Sequence, residues 1–202
     1  MVLGTMRLFI ALDIDEAIRE RIQRFMDGLR EFAPDARWVR PESLHVTLKF
    51  IGEKPDETAE QIKKALAAVE SGPVTIGFRG HGFFPTAKSA RVFWVGIESG
   101  PQLTSLATAV DNATAALGIP KEERAFSPHL TLARGSGSGS PTWHKGDRSK
   151  KTFPRLQEKL SGLSVPDFGT MTAREFFLFR SQLLRGGSRY TKIAGFRLNL
   201  TP

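Results

Sequence analysis

The chain of 202 residues contains no cysteine. This excludes a disulfide framework, a thiolate metal site and a cysteine nucleophile. Acidic residues are also in deficit, because 21 Asp and Glu stand against 29 Lys and Arg, which leaves a net charge of +8. A basic balance favours a polyanionic partner, of which nucleic acid is the commonest, although solubility alone can explain such a charge.

Long apolar runs are missing as well. The opening residues 1–7 lack the apolar stretch of a signal peptide, and no segment approaches the apolar length of a membrane span. The chain is nevertheless 40% hydrophobic and carries 15 Phe, which is the composition of a globular protein. We therefore expect a soluble, cytoplasmic, monomeric protein that does not associate with membranes.

Histidine is scarce, but its distribution is not random. Two of the four histidines begin the same short pattern of His, apolar residue, Thr and apolar residue, in His45-Val46-Thr47-Leu48 and in His129-Leu130-Thr131-Leu132. A pair of histidines can donate one proton and accept another near neutral pH without a metal. The other two, His81 and His144, lack the pattern, and we interpret them as structural or peripheral and as solvated, respectively.

The repeat extends beyond the two motifs. A shift of 84 positions aligns residues 7–11 with residues 91–95 and the helix-like stretch 16–31 with residues 100–115. This pattern indicates an internal duplication of strand, helix and His-x-Thr strand. A two-fold axis between the copies would place His45 opposite His129 across a shared groove.

The predicted fold is α+β. We expect a single bilobal domain over residues 1–202, with two pseudo-symmetric lobes, each an antiparallel sheet with helices on its outer face, and an active-site groove between them. Residues 135–152, rich in Gly and Ser and then basic, are predicted to be a flexible loop. Among the individual elements, we predict a helix over 16–32, a strand over 44–51 that stops at Gly52, one strand over 171–183, and a hairpin turn at Gly186-Gly187.

The alternation of a strand gives the two motifs their chemical meaning. His45 and Thr47 share one face, and so do His129 and Thr131, while the apolar residues between them point to the other face. Two imidazoles and two hydroxyls facing one groove suit a phosphodiester, which needs a nucleophile deprotonated, a leaving oxygen protonated and its other oxygens held. No metal is suggested, because the carboxylate clusters of a two-metal phosphodiesterase are missing.

With these motifs and their flanks, the chain resembles the two-histidine (2H) phosphoesterase superfamily, and within it the RNA 2′,3′-cyclic phosphodiesterases first described as 2′-5′ RNA ligases. The matching stretches are residues 7–12, 38–42, 45–52, 82–85 with 91–94, and 126–134. The resemblance implies a substrate, RNA that ends in a 2′,3′-cyclic phosphate and is opened to a 2′-phosphate, and it implies no cofactor.

The same resemblance implies roles for individual residues. His45 would donate a proton to the leaving 3′ oxygen, His129 would accept one from water, and Thr47 and Thr131 would hold phosphate oxygens. Arg134 is expected at the phosphate only if its strand bends, since a regular strand turns it away from Thr131. Tyr190 is a candidate for stacking on a base or bonding to the phosphate, or else for packing within a hairpin.

Four alternatives stay open at this point. Two are enzymatic: 2′-5′ RNA ligation in the same site, since the same acid and base serve both directions, and hydrolysis of a cyclic nucleotide or an ADP-ribose cyclic phosphate in the same pocket. The other two are a module that binds phosphate or RNA without turnover and a structural scaffold with a polar groove.

Overall fold

The computed structural model describes residues 4–135, 152–184 and 187–199. The β-strands of this part of the chain belong to one antiparallel sheet. Their bounds are β1 Thr5–Asp13, β2 Arg37–Trp38, β3 His45–Pro55, β4 Val74–Phe84, β5 Val92–Ser99, β6 His129–Arg134, β7 Asp167–Ala173, β8 Glu175–Leu184 and β9 Gly187–Arg197. The helices are α1 Glu16–Asp27, α2 Asp56–Ala67, α3 Pro101–Ala115 and α4 Pro154–Ser161.

The sheet consists of two halves that meet at its middle. The strand order is β7-β4-β5-β6-β3-β1-β8-β9, and the short β2 pairs with β6. We call β3, β1, β8 and β9 the first lobe, and β7, β4, β5 and β6 the second lobe. The lobes join through the antiparallel pairing of Val46 with Leu130, the central apolar residues of the two His-x-Thr motifs. The α+β class with antiparallel lobes is confirmed, and the structure adds that the lobes share one continuous sheet.

The four helices cover one face of this sheet. The helices are amphipathic, and their buried apolar residues recur at helical spacing, as Ile18, Ile22 and Met26 do in α1. These side chains are buried in the same core as Val46 and Leu130. Two helices contact the lobe opposite to the strand that they follow, since α1 follows β1 and packs on β7, and α3 follows β5 and packs on β3 as well as on β4. The helices therefore hold the two lobes together.

None of the helices in the described part of the chain has the length and apolarity that a bilayer crossing demands.

Three predicted boundaries differ from the structure. Helix α1 ends at Asp27 and not at Phe32, because the chain tightens into a 3₁₀ turn at Arg30–Phe32. Strand β3 continues past Gly52, which adopts a φ of 82° that a glycine tolerates in a strand irregularity. The single strand predicted over 171–183 is wrong, since β7 ends at Ala173 and β8 begins at Glu175. The flexible loop and Gly186 lie outside the described residues, apart from Gly135 and Thr152.

Two β-bulges at corresponding positions determine which side chains face away from the helices. In β3, Leu48 is the extra residue between the pairs Thr47 with Ala11 and Lys49 with Ile10. In β6, Leu132 is the extra residue between the pairs Thr131 with Trp94 and Ala133 with Phe93. Each bulge buries two successive residues on the helix side. The next residue, Phe50 in β3 or Arg134 in β6, returns to the opposite face, which we call the groove face.

Candidate active site

The two motif histidines are held by the same local hydrogen bond. Nδ1 of His45 lies 2.7 Å from the carbonyl oxygen of Ser43, and Nδ1 of His129 lies 2.8 Å from that of Ser127. A carbonyl can only accept, so each Nδ1 carries the proton and donates it two residues back along the chain. Nε2 is then the nitrogen left for a ligand, as an acceptor when the ring is neutral and as a donor when the ring is charged.

The two threonines lie on the groove face with the histidines. Thr47 and Thr131 are half-buried, while Val46, Leu48, Leu130 and Leu132 around them are buried against the helices. Within the described residues, neither hydroxyl takes part in a side-chain hydrogen bond. Both hydroxyls are therefore available to donate to a ligand placed between the two motifs.

His45 lies in an aromatic enclosure provided by the first lobe. Its ring centroid is 4.7 Å from that of Phe9 and 5.2 Å from that of Tyr190, which meets it edge-on, and 6.1 Å from that of Phe179. The pKa of His45 is lowered from 6.5 to about 4, chiefly by burial, with the positive charges of Arg134 and His129 contributing to the decrease. The Ser43 hydrogen bond and the carboxylate of Asp13 oppose this shift.

His129 has a different set of neighbours in the second lobe. The centroid of Phe84 lies 4.9 Å from that of His129, and Trp94 lies 6.5 Å away. Burial also lowers the pKa of His129, with Arg134 adding to the effect and the Ser127 hydrogen bond opposing it. The positive charge of His129 contributes to the lowered pKa of His45, and Arg134 lowers the pKa of both rings, so the two imidazoles share one electrostatic environment.

The side chain of Arg134 faces the groove, because its strand has an irregularity that the sequence could not predict. The bulge at Leu132 turns its side chain to the groove face, whereas a regular strand would turn it away. Its positive charge lowers the pKa of both His45 and His129, and it also interacts with Tyr190. One guanidinium therefore serves the space between the two histidines.

Tyr190 contacts His45 edge-on and also packs edge-on against Phe9, with ring centroids 5.0 Å apart. Tyr190 therefore takes part in packing against Phe9 and lies beside His45, while its contact with a base or a phosphate stays a prediction.

Asp13 is a neighbour of His45 that the motif analysis missed. It pairs with His45 in the register of β1 and β3, and it forms ion pairs with Arg19 at 2.8 Å and with Lys192. Burial alone would raise the pKa of Asp13, but Lys192 and Arg19 hold it below its ordinary value. The residue beside His129 in the equivalent register is Gly96, which has no side chain. An alignment of the halves by strand register would have exposed this difference.

A second missed feature is a buried ion pair that links the lobes. Lys49 is 2% exposed, and its ammonium pairs with Asp111 of α3 and donates to the carbonyl of Pro120 at 2.9 Å. The bulge at Leu48 is what turns Lys49 to the helix side. The pair ties β3 to the segment that leads into His129, and no local sequence signal marks it.

The remaining histidines are not part of the site, as far as the structure describes them. His81 lies on the helix side of β4, with its ring centroid 6.1 Å from that of the buried Phe93. His144 lies outside the described residues. Across residues 4–135, 152–184 and 187–199, no three His, Asp or Glu side chains converge as metal ligands would.

Comparison with known proteins shows the family. The model of the LigT-like phosphoesterases matches residues 12–94 and again residues 95–190, which together make up most of the chain. The chain belongs to the LigT-like phosphoesterase family.

Relatives of similar length share this family. A protein of Methanothermobacter thermautotrophicus named RNA 2′,3′-cyclic phosphodiesterase is 32% identical over 194 residues, which are 95% of this chain and 98% of that protein. An Archaeoglobus fulgidus protein of the same name is 33% identical and covers 95% of this chain and 99% of its own. The crystal structure of Escherichia coli LigT complexed with 3′-AMP is similar with a TM-score of 0.75 and 26% identity, over 98% of this chain and 100% of that one.

Proposed function

We propose that this phosphoesterase hydrolyses RNA 2′,3′-cyclic phosphate ends to 2′-phosphates, with His45 and His129 as its acid and base and without a metal. The observation that carries the proposal is the identical hydrogen bonding of the two rings. Each ring donates from Nδ1 to a carbonyl two residues back, which leaves Nε2 for the ligand. The names of the full-length relatives support the substrate class.

The reaction balances with these groups alone. A water attacks phosphorus, its proton passes to Nε2 of His129, and the new P–O bond forms as the bond from phosphorus to the 3′ oxygen breaks. The 3′ oxygen takes a proton from Nε2 of His45. Attack and departure lie in line on opposite sides of phosphorus, so one histidine is needed on each side. The product is a 2′-phosphate with a free 3′ hydroxyl.

The difference between Asp13 and Gly96 supports the assignment of the donor. A donor must carry a proton before the reaction, and a carboxylate nearby favours the charged ring. The carboxylate of Asp13 raises the pKa of His45, whereas the pKa of His129 receives no such help from a carboxylate. The first lobe therefore places beside its histidine a carboxylate that favours the charged ring, and the second lobe has no such group in the equivalent register.

Substrate binding favours the protonation of His45 that the proposed mechanism needs. In the empty site His45 is neutral at pH 7, because its pKa lies at about 4. A bound phosphodiester brings a negative charge between the two rings, which raises the pKa of both histidines. The substrate thus promotes the protonation that its own cleavage needs.

Thr47, Thr131 and Arg134 would then hold the phosphate. The two free hydroxyls can donate to the non-bridging oxygens, on which charge grows in the transition state. The guanidinium of Arg134 faces the same space and offers charge as well as hydrogen bonds. Tyr190, against His45, lines the side of the site where the ribose would lie.

The test is product analysis on a short RNA that ends in a 2′,3′-cyclic phosphate, in the presence of a chelator. We expect a 2′-phosphate end, and we expect the rate to be unaffected by the chelator. A 3′-phosphate end would contradict the assignment of the leaving oxygen. Binding without turnover would contradict the enzymatic proposal, and a requirement for metal would contradict the paired-histidine chemistry.

A further inference from the structure

A cavity of about 400 Å³ opens beside His45 and is lined by strands of the first lobe and by residues 42–44, which lead into β3. Among the residues that line it are Asp13, Glu42, Ser43, His45, Tyr190 and Lys192. No described residue of β4, β5, β6 or β7 contributes to its wall. Its volume lies within the range of small-ligand pockets, which begins at about 300 Å³. The phosphate-holding groups Thr47, Thr131 and Arg134 are not part of its lining.

The chemistry of the wall suits an uncharged polar ring better than a second phosphate. Phe179 and Tyr190 provide an aromatic surface. The ammonium of Lys192 is already paired with Asp13, which is also paired with Arg19. Among the described residues, no hydrogen bond or ion pair engages the carboxylate of Glu42. Of the two acidic residues in the wall of the cavity, Glu42 is therefore the unpaired one.

The proposed reaction fixes which part of the substrate reaches this cavity, and the inference rests on that proposed function. If His45 protonates the leaving 3′ oxygen, the ribose lies on the His45 side of phosphorus and the attacking water lies on the His129 side. The nucleoside that carries the cyclic phosphate then extends from His45 into the first lobe. The cavity described above is lined by His45 on this side.

We infer that this cavity binds the terminal nucleobase and that Glu42 determines base preference by accepting from base N–H groups. A carboxylate accepts from the exocyclic amino groups of cytosine, adenine and guanine. Guanine offers two adjacent donors on its pairing edge, so it binds best. Uracil offers one N–H between two carbonyl oxygens, which a carboxylate repels, so it binds least well.

The first experiment measures kcat/KM on the four nucleoside 2′,3′-cyclic phosphates with the wild-type protein and with Glu42→Gln. The wild type is expected to favour the guanosine over the uridine substrate by on the order of 10-fold. Glu42→Gln should reduce this ratio to within about 3-fold, because a neutral amide both donates and accepts. The matched control is Glu53→Gln, an exposed glutamate of the same strand as His45 and outside the cavity, which should keep the wild-type ratio.

A second measurement separates the failure of this inference from the failure of the proposed function. Calorimetry compares the affinities for guanosine 2′-phosphate and uridine 2′-phosphate, with the wild type and with Glu42→Gln. Discrimination that depends on Glu42 in a protein that lacks turnover would support the cavity and overturn the hydrolysis.

The opposite result has an equally clear meaning. Turnover with the same base ranking in the wild type and in Glu42→Gln would overturn the inference and leave the hydrolysis standing. A base ranking that instead changes with Trp94→Leu would place the nucleoside on the second lobe. That outcome would overturn the inference together with the choice of His45 as donor.

Discussion

The two lobes carry the same motif in different surroundings. At the position after each bulge, the first lobe has Phe50 and the second lobe has Arg134. Beside each histidine in the strand register, the first lobe has Asp13 and the second lobe has Gly96. The backbone devices are common to both lobes, namely the bulge, the Nδ1 hydrogen bond and the pairing of Val46 with Leu130.

In the proposed mechanism, this difference is what gives the two histidines of a nearly symmetric frame opposite roles. The first lobe adds aromatic burial and a carboxylate next to its histidine. The second lobe adds the guanidinium that serves both rings. An acid and a base in one reaction must differ at the moment of catalysis, and these neighbours supply the difference.

The largest expected effect comes from removing either imidazole. His45→Ala and His129→Ala should each lower the rate of cyclic phosphate hydrolysis by on the order of 10²-fold or more, since each removes one proton transfer. His81→Ala is the matched control, because that ring lies on the helix side of the sheet. Near-normal turnover in either motif variant, with folding intact by circular dichroism, would contradict the proposal that both histidines take part in the reaction.

The next effect concerns the free energy of unfolding and tests the burial of the His45 ring. The pKa of His45 falls from 6.5 to about 4 in the folded protein. The unfolded chain therefore binds more protons between these pH values, and the free energy of unfolding should decrease as the pH falls from about 6.5 to about 4. The contribution of His45 is up to about 3 kcal/mol, at 1.36 kcal/mol for each pKa unit.

The check is urea denaturation of the wild type and of His45→Gln at several pH values. The stability of His45→Gln should depend less on pH over this range, since the glutamine does not titrate. Parallel curves for the two proteins would show that burial does not hold His45 neutral.

The positions after the bulges should differ in their effect on rate. Arg134→Met removes a charge that faces the phosphate and should lower kcat/KM by roughly 10- to 100-fold. The same charge lowers the pKa of both histidines, so its removal should also move the pH maximum of kcat/KM upward. Phe50→Leu, the control in the other lobe, should change neither the maximum nor the rate by as much. Equal effects of the two variants would show that the two lobes do not differ in function at this position.

The smallest expected effect comes from the carboxylate next to His45. Asp13→Asn removes a negative charge that raises the pKa of His45, so the pH maximum of kcat/KM should move downward, opposite to the shift for Arg134→Met. The rate near neutral pH should fall several-fold, because less of the donor is protonated. Gly96→Asp would sharpen the comparison by adding the missing carboxylate, but the carbonyl of Arg79 lies 2.5 Å from where its Cβ would be. An unchanged pH profile in Asp13→Asn would show that the carboxylate does not assist His45 as the proton donor.

The sequence predicted the motif strands well, because strand alternation and the His-x-Thr spacing are local. It placed His45, Thr47, His129 and Thr131 on one face, as the structure has them. It could not decide the direction of Arg134, since a bulge depends on how the neighbouring strand pairs. Asp13 and Glu42 escaped for a similar reason, because they become neighbours of the site only through strand register and the cavity that forms beside His45. The split at Arg174 was missed because the apolar pattern runs through it, while the pairing partners change from β4 to β1 and β9.

The proposed contact of His45 and His129 with one and the same phosphate can be tested by NMR of the protein labelled with ¹⁵N in its histidine rings. Adding a nucleoside 2′-phosphate should shift the Nε2 resonances of His45 and His129 together, with a single dissociation constant, and should leave His81 in place. Two different dissociation constants, or a shift of one motif histidine alone, would contradict the account.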